Sequence, residues 1–419
     1  MIRRALKSRS LKMNSIASLM DQGATQFLQL LINILIAREL GAIAVGQYNG
    51  IMGFAGVVSG LAGFGLQATL LREISKGVNR VPRYLSHAFL IRTLFSIPIT
   101  VVCTLALCYL FDIERNQLGL IIFIALFNAL ISLGLLFNAV YVALRACVHY
   151  FLINLGYRLA WLIFTVVLIA LGFQLFSVVV AGVCLSCVAM FAFYRVVQCL
   201  TQHFKLHFDW RFGKTLILKS MPLSFAAVAE FICIRADSII LLAIIGAEVT
   251  GYYSTAVSIY LVLSLLPLTL GRIYQPHFIS HLQDNAREAY RKLFLYFLGL
   301  IGFACFLTLM LWFLSPLAIN IIYGPEYRPS IDMLRYLAFI LPVIAGGRCL
   351  SYALISLRQN GRYFRNTFIS AVINVILNII FIPKYGVYAA IVTTFLAEAY
   401  ILIMSLFQVE HLRRNALQE

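Results

Sequence analysis

Apolar residues along this chain gather in runs of twenty or more, separated by short loops rich in Lys and Arg. A helix needs about 20 such residues to cross the hydrocarbon core of a bilayer. Backbone groups in lipid have no water to bond, so the runs read as helices rather than open strands. A membrane β-barrel would show shorter segments of alternating polarity, and none is present. The pattern predicts spans at roughly 14–37, 45–70, 84–110, 117–144, 150–172, 175–198, 216–245, 252–275, 291–315, 331–356, 364–383 and 387–408. The expected fold class is therefore all-α integral membrane, with about twelve transmembrane helices. The first run is too long for the apolar core of a cleaved leader. It ends in Ala37-Arg38-Glu39 without a small-residue cleavage site, so it reads as the first membrane helix.

Composition agrees. Of the 419 residues, 62% are apolar and 12% charged, against about 45–50% and about 25% in soluble domains. The net charge of +17 would suggest nucleic acid in a soluble protein. Here the charge sorts by side. With the N-terminus inside, the inner loops and the helix ends beside them hold 24 of the Lys and Arg, and the outer segments hold only Arg38, Arg115, Arg328 and Lys384. That bias is the signature of cytoplasmic loops. It predicts both termini in the cytoplasm and leaves no basic stripe for nucleic acid.

The motif Gly-Ala-x-x-x-Gly-x-Tyr occurs twice, as Gly41-Ala42 with Gly46 and Tyr48, and as Gly246-Ala247 with Gly251 and Tyr253. Each copy falls between the first and second span of a six-span half. Six is even, so both halves enter the membrane in the same sense, as in transporters with parallel repeats. The expected organisation is an N-terminal lobe at 1–200, a cytoplasmic linker at 201–215 and a C-terminal lobe at 216–419, two pseudo-symmetric six-helix lobes around a central cavity.

Polar residues inside the spans carry the candidate chemistry. The first span places Asn14, Ser18, Asp21, Gln22, Thr25, Gln29 and Asn33 on one face. The fifth does so with Asn154, Arg158, Trp161 and Thr165, and the eleventh with Thr367, Ser370, Asn374 and Asn378. For single residues, interhelical hydrogen bonding is the simpler reading; several stripes together suit a shared aqueous cavity. The second span carries a glycine face at Gly46, Gly50, Gly53, Gly56, Gly60 and Gly63, for close packing or for sliding.

Asp21, Glu230, Asp237, Glu398, Arg92, Arg158, Arg235 and Arg348 all fall at membrane depth. Each is costly in lipid and should line a pathway or meet a partner. Arg235 has Glu230 and Asp237 nearby, so pairing explains that group; the four carboxylates are equally candidates for ion coupling. Arg92, Arg158 and Arg348 have no acid within a helical turn of sequence and share the cytoplasmic half of the bilayer. That placement suits a vestibule for an anion, and a guanidinium matches phosphate oxygens. Gly346-Gly347 before Arg348 are expected to let that helix unwind locally.

Other signals are weaker. Cys184 and Cys187 form a CxxC inside a span and read as small buried hydrophobes. His203/His207 and His277/His281 lack the Glu of a zinc-protease helix and read as solvated. No metal site, cofactor motif or catalytic set is expected, and the chain is not read as an enzyme. A membrane glycan polymerase or acyltransferase would want a large external loop or a His/Asp set.

Four stretches bear a family resemblance: Ile36-Ala37-Arg38-Glu39-Leu40-Gly41 with Gly46-Gln47-Tyr48; Asp237 with Gly251-Tyr252-Tyr253-Ser254-Thr255-Ala256; Tyr323-Gly324-Pro325-Glu326-Tyr327; and Asn374 to Asn378 with Ile382-Pro383-Lys384-Tyr385-Gly386. In order and spacing the chain resembles the polysaccharide (O-antigen type) flippases of the multidrug/oligosaccharidyl-lipid/polysaccharide exporter superfamily. The resemblance implies a two-lobed, MATE-like fold in the bacterial inner membrane. It implies transfer of undecaprenyl-pyrophosphate-linked oligosaccharide from the cytoplasmic to the periplasmic leaflet by alternating access, coupled to protons or sodium. Arg92, Arg158 and Arg348 would hold the pyrophosphate. Tyr48, Asn49, Asn128, Tyr157, Trp161, Asn374 and Asn378 are candidates for glycan contact. Implied partners are membrane lipids, a polysaccharide polymerase and a chain-length regulator. A multidrug/cation antiporter of the same superfamily is the alternative, and a cavity with three arginines argues against cationic cargo.

The charge bias sets an expected topology. Reporter fusions at Asn79, Lys205 and Gln283 should read cytoplasmic, and fusions at Arg115 and Arg328 periplasmic. A periplasmic signal at Lys205 would break the two-lobe reading.

Overall fold

The structure, a computed structural model, describes residues 11–110, 117–201 and 207–416. Of the fusion positions above, Arg115 and Lys205 lie outside the described residues, as does His203. Among the described residues every regular element is helical: α1 Leu11–Ala62, α2 Leu66–Ile74, α3 Val81–Ile91, α4 Ile97–Leu110, α5 Leu118–Ala143, α6 Cys147–Ala170, α7 Leu175–Thr201, α8 Trp210–Ile244, α9 Ala247–Asp284, α10 Ala286–Ile322, α11 Pro329–Ala338, α12 Ile340–Ser356, α13 Asn360–Tyr385 and α14 Val387–Ala416.

Among the described residues, 10 helical stretches are long and apolar enough to cross a membrane. The first, Ile16–Ala62, is broken by Gly41 at φ 83°, ψ 175°. The break stands where the sequence predicts the first interhelical loop. Counting its two limbs separately, and adding α8 at the seventh predicted position, yields a helix at each of the twelve expected spans. The outward side chains are apolar, with Phe313, Phe407 and Phe191 among the most exposed. In water such a surface would aggregate; here it is the lipid face. Cys184 and Cys187 lie on it, exposed on α7. They face lipid rather than being buried in protein, because their helical step places them beside Val188 and Phe191.

By contacts the chain forms two units. One holds the described residues up to Leu40 with Gln47–Phe231; the other holds Gly41–Gly46 with Ile232 onward. The division falls inside α8, whereas the sequence places a linker at 201–215. In the first unit α5 is the central helix, packed against α2, α4 and α7, and 67% of its most apolar window is covered by protein. In the second, α12 is central, packed against α9, α10 and α14, and the window of the α11–α12 stretch is covered to the same 67%. These are the fourth span of each half, so the sequence repeat has a counterpart in the packing. Both helices also end alike. Arg145 (φ 54°) and Arg358 (φ 59°) take the left-handed position. The following amides close back on Tyr141 O at 2.8 Å and on Leu354 O at 2.9 Å. This is a Schellman cap, usually made by glycine.

Within the second unit the two copies of the glycine motif touch. A Cβ on Gly46 would stand 1.8 Å from the carbonyl oxygen of Ala247, and one on Gly251 would stand 1.9 Å from that of Ala42. The contact is reciprocal: each copy's second glycine lies on the other copy's alanine carbonyl. Gly41 and Gly246 occupy matching backbone conformations, the latter at φ 113°, ψ 174°. Only glycine adopts these without strain. Two further members of the glycine face also admit close approach, Gly56 by the ring of Phe231 and Gly63 by the guanidinium of Arg92, both in the first unit.

Backbone lies on both sides of the Gly46/Gly251 contact, so a methyl there has no soft neighbour to displace. Gly46→Ala and Gly251→Ala should each lower the thermal midpoint of the detergent-solubilised protein, at about 1–3 kcal/mol or more. Gly299→Ala, with open space around its Cβ, should leave it unchanged or raised. Equal behaviour of all three variants would show that the contact is not tight.

Candidate functional site

Among the described residues, the buried ionisable groups named above at membrane depth fall into separate clusters, two in each unit. In the first unit, Arg92 opens a π turn, Arg92–Ser96, that joins α3 to α4. Pro98 follows at once; it has no N–H and crowds the carbonyl four residues back, so the helix widens there. The wide turn carries the Arg92 side chain toward α5. Its Nη1 donates to the carbonyl oxygen of Ser132 and, at 2.6 Å, to the Ser132 hydroxyl. Nη2 occupies the place of a side chain at Gly63. The residue is 6% exposed. Among the described residues it has no carboxylate within ion-pair distance, and its Nε has no hydrogen-bond partner.

The second cluster joins α1 to α6. Asn154 Nδ2 donates to Asp21 Oδ1 at 2.7 Å and lies 3.2 Å from the Thr25 hydroxyl. Arg158, one turn along α6, acts electrostatically on Asp21, and its guanidinium stands 5.9 Å from the Tyr157 ring centroid. Arg158 therefore does have an acid nearby, on a helix far away in sequence.

In the second unit, Asp237 on α8 is enclosed by neutral donors. Tyr253 and Thr394 give their hydroxyls to Oδ2 at 2.8 and 2.6 Å. Asn378 and Asn374 give amide hydrogens to Oδ1 at 2.6 and 3.4 Å. Thr393 donates to the amide oxygen of Asn378. Three helices beyond α8 contribute: α9, α13 and α14. The sequence pointed to Arg235 as the partner of Asp237; Arg235 is half-buried two positions away, and the contacts above are hydroxyls and amides instead. The side chain of Glu230 lies outside the described residues.

The fourth cluster is an ion pair. Arg348 Nη2 donates to Glu398 Oε1 at 3.2 Å, between α12 and α14, with both side chains nearly covered. Glu398 Oε2 has no hydrogen-bond partner among the described residues. Tyr260, buried on α9, lies within electrostatic range of Asp237, Arg348 and Glu398 and so links the two clusters. The expected unwinding at Gly346-Gly347 does not occur. α12 runs through both, and Gly346 instead admits Phe297 of α10 and Leu402 of α14 to within 3.0 Å of a would-be Cβ.

Each of the candidates for glycan contact has a partner within the protein in this conformation. Trp161 is 1% exposed, bonded to Val178 O and set edge-on against Phe127 at 4.8 Å. Tyr157 accepts from Ser186. Tyr48 and Asn49 are buried, with Gln29 Nε2 3.5 Å from the Tyr48 hydroxyl. Asn128 reaches Met52 O at 3.4 Å. Asn374 and Asn378 belong to the Asp237 cluster. Sequence reasoning missed Ser132, Tyr253, Tyr260, Thr393 and Thr394. Tyr253 had a signal, as the tyrosine of the second glycine motif; the hydroxyl residues had none, since Ser and Thr are ordinary in membrane helices.

Removing one member of a buried ion pair leaves the other uncompensated, at about 3–5 kcal/mol, while replacing both by apolar residues is close to neutral. Glu398→Leu and Arg348→Met should each destabilise the protein in thermal unfolding, and the double variant should recover most of the loss. A double variant as unstable as the sum of the singles would show that the two charges are held by other groups.

The comparisons with known proteins follow this architecture. The chain is 24% identical to the capsular polysaccharide biosynthesis protein CapF of Staphylococcus aureus over 227 residues, 52% of this chain. That match spans only 56% of the relative's length. It is 24% identical to the uncharacterized membrane protein MJ1068 of Methanocaldococcus jannaschii over 92% of this chain and 80% of that protein. Among solved structures, a lipid II flippase MurJ in an inward closed conformation superposes with a TM-score of 0.71 at 17% identity, covering 95% of this chain and 87% of the other. An inward-facing MATE multidrug resistance transporter of the MOP superfamily gives 0.69 at 15% identity, covering 94% and 95%. Those neighbours share the fold, that of a multi-pass membrane protein. The family model described as "Polysaccharide biosynthesis protein" matches residues 11–272, well over half of the chain, and the chain belongs to that family.

Proposed function

We propose that this protein is a flippase that carries undecaprenyl-pyrophosphate-linked oligosaccharide, an O-antigen or related repeat unit, from the cytoplasmic to the periplasmic leaflet by alternating access. It would act in the bacterial inner membrane with both termini in the cytoplasm. Membership of a polysaccharide biosynthesis family, on a fold shared with a lipid II flippase, supports a lipid-linked glycan as cargo. Within the chain the observation that carries the reading is Arg92. It is a guanidinium at membrane depth, held by one serine and by no carboxylate among the described residues. An anionic cargo is the partner such a group lacks. Arg158 and Arg348 are the further candidates for the pyrophosphate, and each has a carboxylate to release before it engages one.

Transport against a gradient needs a site for a driving ion, and we assign it to Asp237. One carboxylate with the oxygens of Asn374, Asn378 and Thr394 around it suits a single monovalent charge; a divalent ion collects more carboxylates. The two amides present their oxygens if they rotate about χ2. A proton on Asp237 itself is the other way to load the same group.

The test is export in cells that lack their own flippase. Arg92→Ala should trap lipid-linked repeat units in the cytoplasmic leaflet and deplete surface polysaccharide, with Arg92→Lys only partly restoring it. Asp237→Asn should abolish export at normal protein levels. Vesicle assays with a sodium gradient or a pH gradient, imposed separately, would identify the ion. Normal export by both Arg92→Ala and Asp237→Asn would sink the proposal.

A further inference from the structure

One cluster of charge takes no part in the membrane-depth chemistry. Glu73 lies near the end of α2, outside the membrane-spanning stretches. Its Oε1 receives Lys76 Nζ at 2.7 Å and Arg72 Nε at 3.6 Å, and its Oε2 receives Arg80 Nη1 at 2.7 Å. Lys219 of α8 acts on it electrostatically. The carboxylate is 3% exposed, while Arg72, Lys76 and Arg80 are 52%, 51% and 46% exposed. The hydrogen bond from Lys76 is the main reason the Glu73 carboxyl is held below its usual range; Lys219 and Arg72 add to it, and desolvation opposes it. Glu73 is thus a charged hub, and four cations converge on one carboxylate with their outer donors still facing solvent.

The surroundings hold this cluster rigid. Leu66, Leu70 and Ile74 of α2 enter the core of the first unit with Val81 and Leu85 of α3 and Leu216 of α8. Arg83 stands 4.1 Å from the ring centroid of Phe212, and His87 Nε2 accepts the Asp209 amide at 2.9 Å. Both contacts tie the start of α8, and with it Lys219, beside α2 and α3. Arg72 stands in the last turn of α2 and Lys76 just beyond it, where the helix dipole favours cations.

A topogenic signal needs none of this. Charge bias in short loops acts on the unfolded segment during insertion, and an acid among the cations adds little to it. A folded site does need a hub, because like charges held this close repel and require a fixed counter-charge. One carboxylate leaves three positive charges uncompensated, spaced by a common anchor at the membrane surface. We propose that Arg72, Lys76, Arg80 and Lys219, organised by Glu73, bind the phosphate group of a lipid headgroup at the cytoplasmic face of the membrane. The cytoplasmic assignment rests on the charge-derived topology; the site does not depend on the identity of the transported cargo. Two lipids carry the required chemistry, an anionic phospholipid of the bilayer and the pyrophosphate of a polyprenyl carrier.

The test is lipid retention by the purified full-length protein in native mass spectrometry, with phosphatidylglycerol, cardiolipin, undecaprenyl pyrophosphate and phosphate-free diacylglycerol offered in turn. The wild type should retain phosphate-bearing lipid over diacylglycerol. Lys76→Gln with Arg80→Gln should weaken that retention roughly thirtyfold, from a loss of about 5.5-fold per cation near the surface. Arg413→Gln with Arg414→Gln removes the same charge from another acid-paired basic cluster, at Glu410, and should change retention little. Glu73→Gln decides between a built site and a diffuse positive field. It raises the net charge, so a diffuse field would bind phosphate more tightly; loss of the hub should bind it more weakly. Tighter Glu73→Gln binding, or equal losses in the two double variants, overturns the proposal. Preference for undecaprenyl pyrophosphate makes the site a receiving point for carrier lipid, and preference for cardiolipin or phosphatidylglycerol makes it a resident-lipid site; either supports it. Because the readout is retention and not export, failure of the flippase reading would leave this result standing.

Discussion

The hydrocarbon interior offers no water, so a polar group placed in it must find its partner within the protein or in what the protein binds. That constraint orders the structure from the backbone outward. It makes the chain helical, and it turns apolar side chains such as Phe313 and Phe407 outward. It also explains why the buried charges occur in small closed sets. Asp237 collects two hydroxyls and two amides from three other helices. Arg348 takes Glu398, and Asp21 takes Asn154 with Arg158 in range. Each set fixes the register between helices more sharply than apolar packing does, because a one-turn slip would strand a charge.

The spans were legible because membrane crossing depends on length and hydropathy, both local properties of sequence. The twofold repeat was legible because Gly41, Gly46, Gly246 and Gly251 stand at positions only glycine fills, so the motif resists drift. The matching ends of α5 and α12 were not, since Arg145 and Arg358 take the place where glycine is expected. The partners of the charges were hidden for a different reason. Arg348 and Glu398 are fifty positions apart, and Asp21 and Asn154 more than a hundred. Local inspection therefore found an acid for Arg235 and none for Arg158 or Arg348. Hydroxyl donors such as Thr394 and Tyr253 carry no signal of their own until the helices that hold them are brought beside Asp237.

Glycine serves two unlike purposes here. At Gly41 and Gly246 it supplies backbone angles that other residues adopt only with strain. At Gly46, Gly251 and Gly63 it supplies room, for a carbonyl in the first two cases and for a guanidinium in the third. The last is the more telling for function. A side chain at position 63 would collide with Arg92, so the space and the charge that fills it are specified on two separate segments, the turn after α1 and the π turn after α3.

Arg92 differs from the other buried charges in how it is held. A guanidinium has five donors in a fixed plane. At Arg92 the serine takes Nη1, Gly63 makes space for Nη2, and Nε has no hydrogen-bond partner among the described residues. Neutral acceptors satisfy geometry but do not cancel charge. Were the role only to join α3 to α5, an amide or a hydroxyl would do so without the cost of desolvating a full charge. The cation and the π turn that positions it are features of the same short segment, and irregular turns inside helices recur where function needs a side chain re-aimed. On the proposed function, a buried positive charge with one donor in reserve, seated in the space that glycine leaves, gains stability when an anionic cargo arrives. That gain is what lets a cargo shift the balance between two states of its carrier, since a ligand moves an equilibrium only by binding one state better than the other.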